Sequence, residues 1–164
     1  MDAELYELSG RVGDALKSRG LMMAAAESCT GGWIGQAVTM VPGSSQWFDR
    51  GFVTYTNDAK REMLGVRSAT LEKFGAVSEQ TVLEMVTGAL SRSHAQVAVA
   101  VSGIAGPDGG SAQKPVGTVV LAWAEKGARG EARPMHFRGD RDAVRRQAVL
   151  AALEGLLAML GRSA

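Results

Sequence analysis

Apolar residues recur at helical spacing at Leu5, Leu8, Val12 and Leu16, which predicts an amphipathic opening helix closed by Gly20. Leu21 to Ala26 is a continuous apolar run, short enough for a buried strand. It breaks into a polar, glycine-flanked turn, Glu27-Ser28-Cys29-Thr30-Gly31-Gly32. A second helix is expected from Thr30, with Trp33, Ile34, Ala37 and Val38 on its apolar side. Val41 to Ser45 carries turn chemistry, and Trp47 to Thr56, rich in aromatic and β-branched residues, predicts a strand bent at Gly51. Asn57 is expected to cap a short helix, Asp58 to Leu64, ended by Gly65. Ser68 to Phe74 predicts another short helix. Ser78 opens a stronger one, in which Val82, Met85, Val86, Ala89 and Leu90 form an apolar stripe.

Gln96 to Ser102 (QVAVAVS) is a continuous run rich in β-branched valine, the pattern of a strand covered on both faces. It leads into Gly103-Ile104-Ala105-Gly106-Pro107-Asp108-Gly109-Gly110, whose four glycines and proline exclude regular structure. Gly117 to Ala124 and Ala132 to Phe137 predict two more strands around a turn at Lys126 to Gly130. Asp140 can open the last helix, with Val144, Ala148, Ala151 and Leu156 to Leu160 on its apolar face. This order of elements predicts an α/β fold, a three-layer α/β/α sandwich with a mixed sheet, formed by residues 1–164 as one domain. The order of strands within the sheet does not follow from the pattern, and the chain shows no internal repeat or linker.

Composition narrows the class. A chain of 164 residues that is 46% hydrophobic fits one domain with a real core. Eighteen basic against 17 acidic residues give no electrostatic argument for nucleic acid or an anionic membrane, so neither is an expected partner. No run reaches the roughly 18 to 20 apolar residues of a membrane-spanning helix. The N-terminus is acidic at once and lacks the basic-then-apolar order of a signal peptide. One cysteine excludes an internal disulfide and suits a reducing compartment, so a cytoplasmic protein is expected. No His, Cys, Asp or Glu spacing matches a metal site, and neither metal nor cofactor is expected.

Three loops compete for chemistry: 27–32, 55–60 and 102–115. Each follows a predicted strand, and in open α/β sheets ligands gather at the carboxyl ends of strands. Ser28 stands where a strand ends and a helix begins, so its hydroxyl can cap the helix or act as a nucleophile beside unpaired N–H groups. His94 ends a helix and His136 lies within a strand, so neither is placed as its base. Lys60 can serve instead if burial lowers its pKa, as in Ser-Lys hydrolases. Tyr55 is either a proton relay or substrate-orienting group, or a packed strand tyrosine. Cys29, with no histidine beside it, reads as a small buried thiol. The glycine-rich loop matches neither the P-loop nor GxGxxG. It either brings N–H groups to an anion or carbonyl oxygen, or is a structural crossover in which Lys114 is solvated.

Four ordered blocks, 26–32 (AESCTGG), 53–60 (VTYTNDAK), 102–110 (SGIAGPDGG) and 114–119 (KPVGTV), together resemble the CinA C-terminal domain family. Phe137-Arg138-Gly139-Asp140-Arg141, with Val144-Arg145, resembles its last motif, so the similarity spans nearly the whole chain. The resemblance implies a nicotinamide-nucleotide amidohydrolase, which converts nicotinamide mononucleotide to nicotinic acid mononucleotide and ammonia. Ser28 would be the nucleophile, Lys60 its base partner and Tyr55 an assisting residue. The implied substrate-binding set is Cys29, Thr30, Gly31 and Gly32, whose N–H groups would hold the oxyanion, with Gly103, Ile104, Ala105 and Gly106. Arg141 or Arg145 would meet the phosphate. The pyrophosphatase activity of the larger domain in full-length CinA proteins is not expected. A homo-oligomer, a dimer, is expected, with Trp33, Trp47 and Phe48 either core or interface anchors. The alternative is a non-catalytic nucleotide-binding or competence/damage-associated regulatory protein of the same fold.

Overall fold

Successive residues of a strand face opposite sides of a sheet, and in this chain the two sides differ in size. The computed structural model describes residues 1–162; residues 163 and 164, the end of the expected 1–164 domain, lie outside the described residues. Five strands, β1 (Met23–Glu27), β2 (Phe48–Val53), β3 (Val97–Gly103), β4 (Thr118–Glu125) and β5 (Glu131–His136), form one sheet in the order β2-β1-β3-β4-β5. β1 is parallel to β2 and β3, whereas β4 and β5 run antiparallel to their neighbours. The sheet is therefore mixed, as the pattern predicted.

One face carries Val97, Val99, Val101, Leu121 and Trp123 and packs on α1 (Ala3–Ser18), α2 (Trp33–Thr39) and α6 (Arg141–Arg162). The other carries Ala24, Ala26, Ala98, Ala100 and Ala122. It faces α3 (Asn57–Leu64), α4 (Ser68–Phe74) and α5 (Glu79–Ser91). These are the three layers predicted. The alanine face leaves little side-chain bulk between sheet and helices, and α5 also meets α3 closely. A Cβ added at Gly88 would lie 2.0 Å from the Leu64 carbonyl oxygen. No described helix is long and apolar enough to cross a membrane.

Trp47 separates the two readings of the aromatic residues. It is 1% exposed and lies against Gly13 of α1, where an added Cβ would come within 2.6 Å of the ring. It is core, and Trp33 and Phe48 pack half-buried on the same cluster. Several boundaries move. β1 begins at Met23 rather than Leu21, and β2 ends at Val53, leaving 54–56 outside the sheet. Thr56, not Asn57, caps α3, its side chain accepting from the Ala59 N–H at 3.0 Å. The irregularity in β2 is at Asp49, skipped between the pairs Met23–Phe48 and Ala24–Arg50, and not at Gly51. α2 starts at Trp33 rather than Thr30, because Gly31 and Gly32 take positive φ (60° and 100°) and turn the chain first.

Candidate active site

The carboxyl ends of the three parallel strands β1, β2 and β3 lie side by side, and each releases one of the three expected loops. Ser28 follows β1 directly, its N–H donating to the Val101 carbonyl of β3 at 3.0 Å. Thr54 continues from β2 and donates its N–H to the Glu27 carbonyl at 2.7 Å, which ties the second loop to the first. Lys60 stands in the first turn of α3 and reaches back under this junction.

Lys60 is 1% exposed. Its Nζ lies 3.0 Å from Ser28 Oγ and donates to the Thr54 carbonyl at 2.9 Å and the Tyr55 carbonyl at 3.4 Å. Burial holds the amine below its ordinary value of 10.5. Among the described residues no carboxylate forms an ion pair with it. A neutral amine has two N–H bonds and one lone pair. The two carbonyls match the N–H bonds, and the lone pair is left for the Ser28 hydroxyl proton. Burial pushes the neighbouring Cys29 thiol up to about 11, so it stays protonated and weakly nucleophilic.

Ser28, Cys29, Lys60, Tyr55, Gly103, Ala105 and Arg141 line one cleft of about 190 Å³. Tyr55 is 57% exposed at its mouth, not packed in a strand. Its hydroxyl accepts from Arg141 Nη2 at 2.9 Å, while Arg141 Nη1 donates to the Gly106 carbonyl at 2.7 Å. One arginine therefore joins the second and third loops. Ile104 is tied into the loop's own backbone, donating to Thr118 and accepting from Gly117, each at 2.8 Å. Gly103 has no room for a side chain, since a Cβ would meet Val119 at 2.7 Å and Cys29 Sγ at 3.1 Å. Lys114 is not simply solvated: its Nζ donates to the Phe74 carbonyl at 2.8 Å, binding the glycine-rich loop to the end of α4.

The first loop differs most from its expected role. Neither Ser28 nor Thr30 caps α2. Glu27 does, although the pattern assigned it nothing. Its buried carboxylate accepts from Ile34 N–H at 2.9 Å, Gly35 N–H at 3.1 Å and Thr30 Oγ1 at 2.6 Å. A lone charge ending an apolar run was the available signal, since a buried carboxylate must find donors. Gly31 closes the turn by donating to the Ser28 carbonyl at 3.0 Å, and Gly32 takes the left-handed position before α2. Arg145 is not among the residues lining the cleft; it donates to the carbonyls of Cys29 and Thr30. Asn57 and Ala76, for which the pattern offered no chemical role, line the cleft as well. Neither histidine lines it. No three His, Cys, Asp or Glu side chains among the described residues are grouped to hold a metal.

Residues 5–160 match the family model described as the CinA C-terminal domain. The chain is 57% identical over 155 residues to the nicotinamide-nucleotide amidohydrolase PncC of Escherichia coli K12, the match covering 94% of each protein. It is 54% identical over 150 residues to the protein of the same name from Pseudomonas putida, covering 92% of this chain and 93% of that one. Among solved structures, the competence/damage inducible protein CihA from Agrobacterium tumefaciens superposes with a TM-score of 0.94 at 51% identity, covering 97% of both chains.

Proposed function

Because the chain belongs to the CinA C-terminal domain family, we propose that it is a nicotinamide-nucleotide amidohydrolase that cleaves the carboxamide of nicotinamide mononucleotide. The near-full-length identity to proteins of that name supports the substrate class. The observation that carries the mechanism is the 3.0 Å approach of a buried lysine to Ser28 Oγ at the floor of a cleft.

In this mechanism Ser28 Oγ attacks the carboxamide carbon while its proton passes to the lone pair of Lys60 Nζ. The carbonyl oxygen becomes an oxyanion, held by backbone N–H groups after Ser28. Collapse breaks the C–N bond, and Lys60 returns the proton to the departing nitrogen, which leaves as ammonia. Water then attacks the acyl-serine ester and gives its proton to Lys60. Ser28 Oγ leaves and is reprotonated, and the acid is released. Arg141 is the cleft's cation and is assigned to the phosphate, with Tyr55 beside it orienting the nucleotide. The regulatory alternative has less support, because a lysine buried against a serine is costly for a protein that performs no chemistry with it.

An ammonia-release assay with nicotinamide mononucleotide and no added metal tests this reading. Wild-type protein is expected to turn over, Ser28→Ala to be inactive, and Lys60→Met to lose about 10²–10⁴-fold in kcat. Full activity in Ser28→Ala, or binding without ammonia release by the wild type, would reject it.

A further inference from the structure

Arg141 or Arg145 was expected to meet the phosphate; the Arg145 guanidinium is bonded to the turn that carries Ser28. Nε donates to the Cys29 carbonyl at 3.0 Å and Nη2 to the Thr30 carbonyl at 3.2 Å. The guanidinium lies 5.4 Å from the centroid of the Trp33 ring, which holds it from one face. Cys29 O belongs to the central peptide of the Ser28–Gly31 turn. That peptide is trans, so its C=O and N–H point in opposite directions. With Cys29 O held toward α6, the Thr30 N–H faces the other side of the turn. The N–H groups of Cys29 and Thr30 donate to no oxygen among the described residues. From the other flank the Glu27 carboxylate holds Thr30 Oγ1 and the start of α2, so the turn is fixed at two points. A charge-assisted bond to a carbonyl also polarises its peptide and strengthens the N–H as a donor.

We propose that Arg145 is a positioning residue for the oxyanion site: by fixing and polarising the Cys29–Thr30 peptide, it presents Thr30 N–H, with Cys29 N–H, to the oxygen that becomes negative when Ser28 attacks. The proposal rests on the reading of Ser28 as the acylated nucleophile. It separates the two arginines of the last helix, with Arg141 facing ligand and Arg145 acting through the backbone.

Two measurements test it on wild type, Arg145→Met and Arg145→Lys. The first is steady-state kinetics on nicotinamide mononucleotide and on nicotinamide riboside, which lacks the phosphate. The second is the rate at which an alkyl fluorophosphonate labels Ser28, where an O–P bond forms, fluoride leaves and the proton goes to Lys60. Labelling needs the same donors but no nucleotide. Arg145→Met is expected to lose about 10²-fold in kcat with KM nearly unchanged, equally on both substrates, and to label more slowly by a similar factor. Arg145→Lys, which keeps the charge and can reach one carbonyl, is expected to recover part of both rates.

Unchanged kcat and labelling in either folded variant would overturn the proposal. So would a KM rise confined to the phosphorylated substrate, which would return Arg145 to phosphate binding. If Arg145→Met does not fold, the lysine variant carries the same test. A wild type that is labelled at Ser28 but releases no ammonia refutes the substrate assignment and leaves the labelling rates to decide the role of Arg145. A wild type that does neither overturns both.

Discussion

In the proposed mechanism Lys60 is the base, and its environment makes two demands that conflict. As a base it must be neutral, and burial favours that form by holding the pKa below 10.5. The same burial opposes stability wherever the amine is charged. The unfolded chain binds a proton that the native chain has released between the lowered pKa and 10.5. Native stability therefore rises with pH across that window. Activity moves in the same direction, because kcat/KM should climb with pH through the lowered pKa and level off above it. Two outcomes are expected for Lys60→Met. Its residual rate loses that pH dependence in an ammonia assay run across pH. In urea titrations the wild type gains stability relative to the variant as pH rises toward 10.5. At neutral pH Met, with similar volume and no charge to desolvate, should leave the protein at least as stable as wild type although inactive. A wild-type profile with no rise at any pH below 10.5 would remove Lys60 as the base.

At the scale of elements, α2 depends on a residue outside it. Gly32, in the left-handed conformation, supplies no side-chain cap, so the Ile34 and Gly35 N–H groups rely on the Glu27 carboxylate. This charge sits inside the protein because three donors surround it, and α2 in turn holds the turn that presents Ser28. Glu27→Ala should destabilise the fold by about 2–3 kcal/mol in urea titration, from a lost cap and buried donors left unpaired. Glu27→Gln retains one acceptor oxygen and should lose less. Both should lower kcat more than they raise KM, since the turn that carries Ser28 loses one of its two holds. A Glu27→Ala protein with wild-type stability would show that the carboxylate is not what starts α2.

Across the whole molecule, close approach between layers places the lysine. α5 touches α3 at Gly88 and Leu64, backbone against backbone, and α3 carries Lys60 four residues before Leu64. Alanine is the better helix former by about 1 kcal/mol, yet Gly88→Ala should destabilise by about 2 kcal/mol or more, because a carbonyl cannot yield as a flexible side chain does. Thermal unfolding with kinetics checks this, and a stabilised variant would contradict the close contact. Helices, strands and turns were largely legible in the sequence, because 3.6- and 2-residue periodicities and turn residues such as Gly20, Gly65 and Pro42 act locally. Local signals also placed Ser28, Lys60 and Gly103 at or shortly after the carboxyl ends of strands, although Lys60 stands within α3 and Gly103 ends β3, and ordered motifs pointed to the family. Strand order, the Asp49 irregularity, the capping role of Glu27 and the turn of Arg145 toward the backbone were not legible, since each depends on partners distant in sequence. Only the tertiary structure decided that β1 lies between β2 and β3 in parallel. That arrangement brings three loop ends together, buries Lys60 against Ser28, and gives an ordinary lysine the desolvation that the proposed mechanism requires of its base.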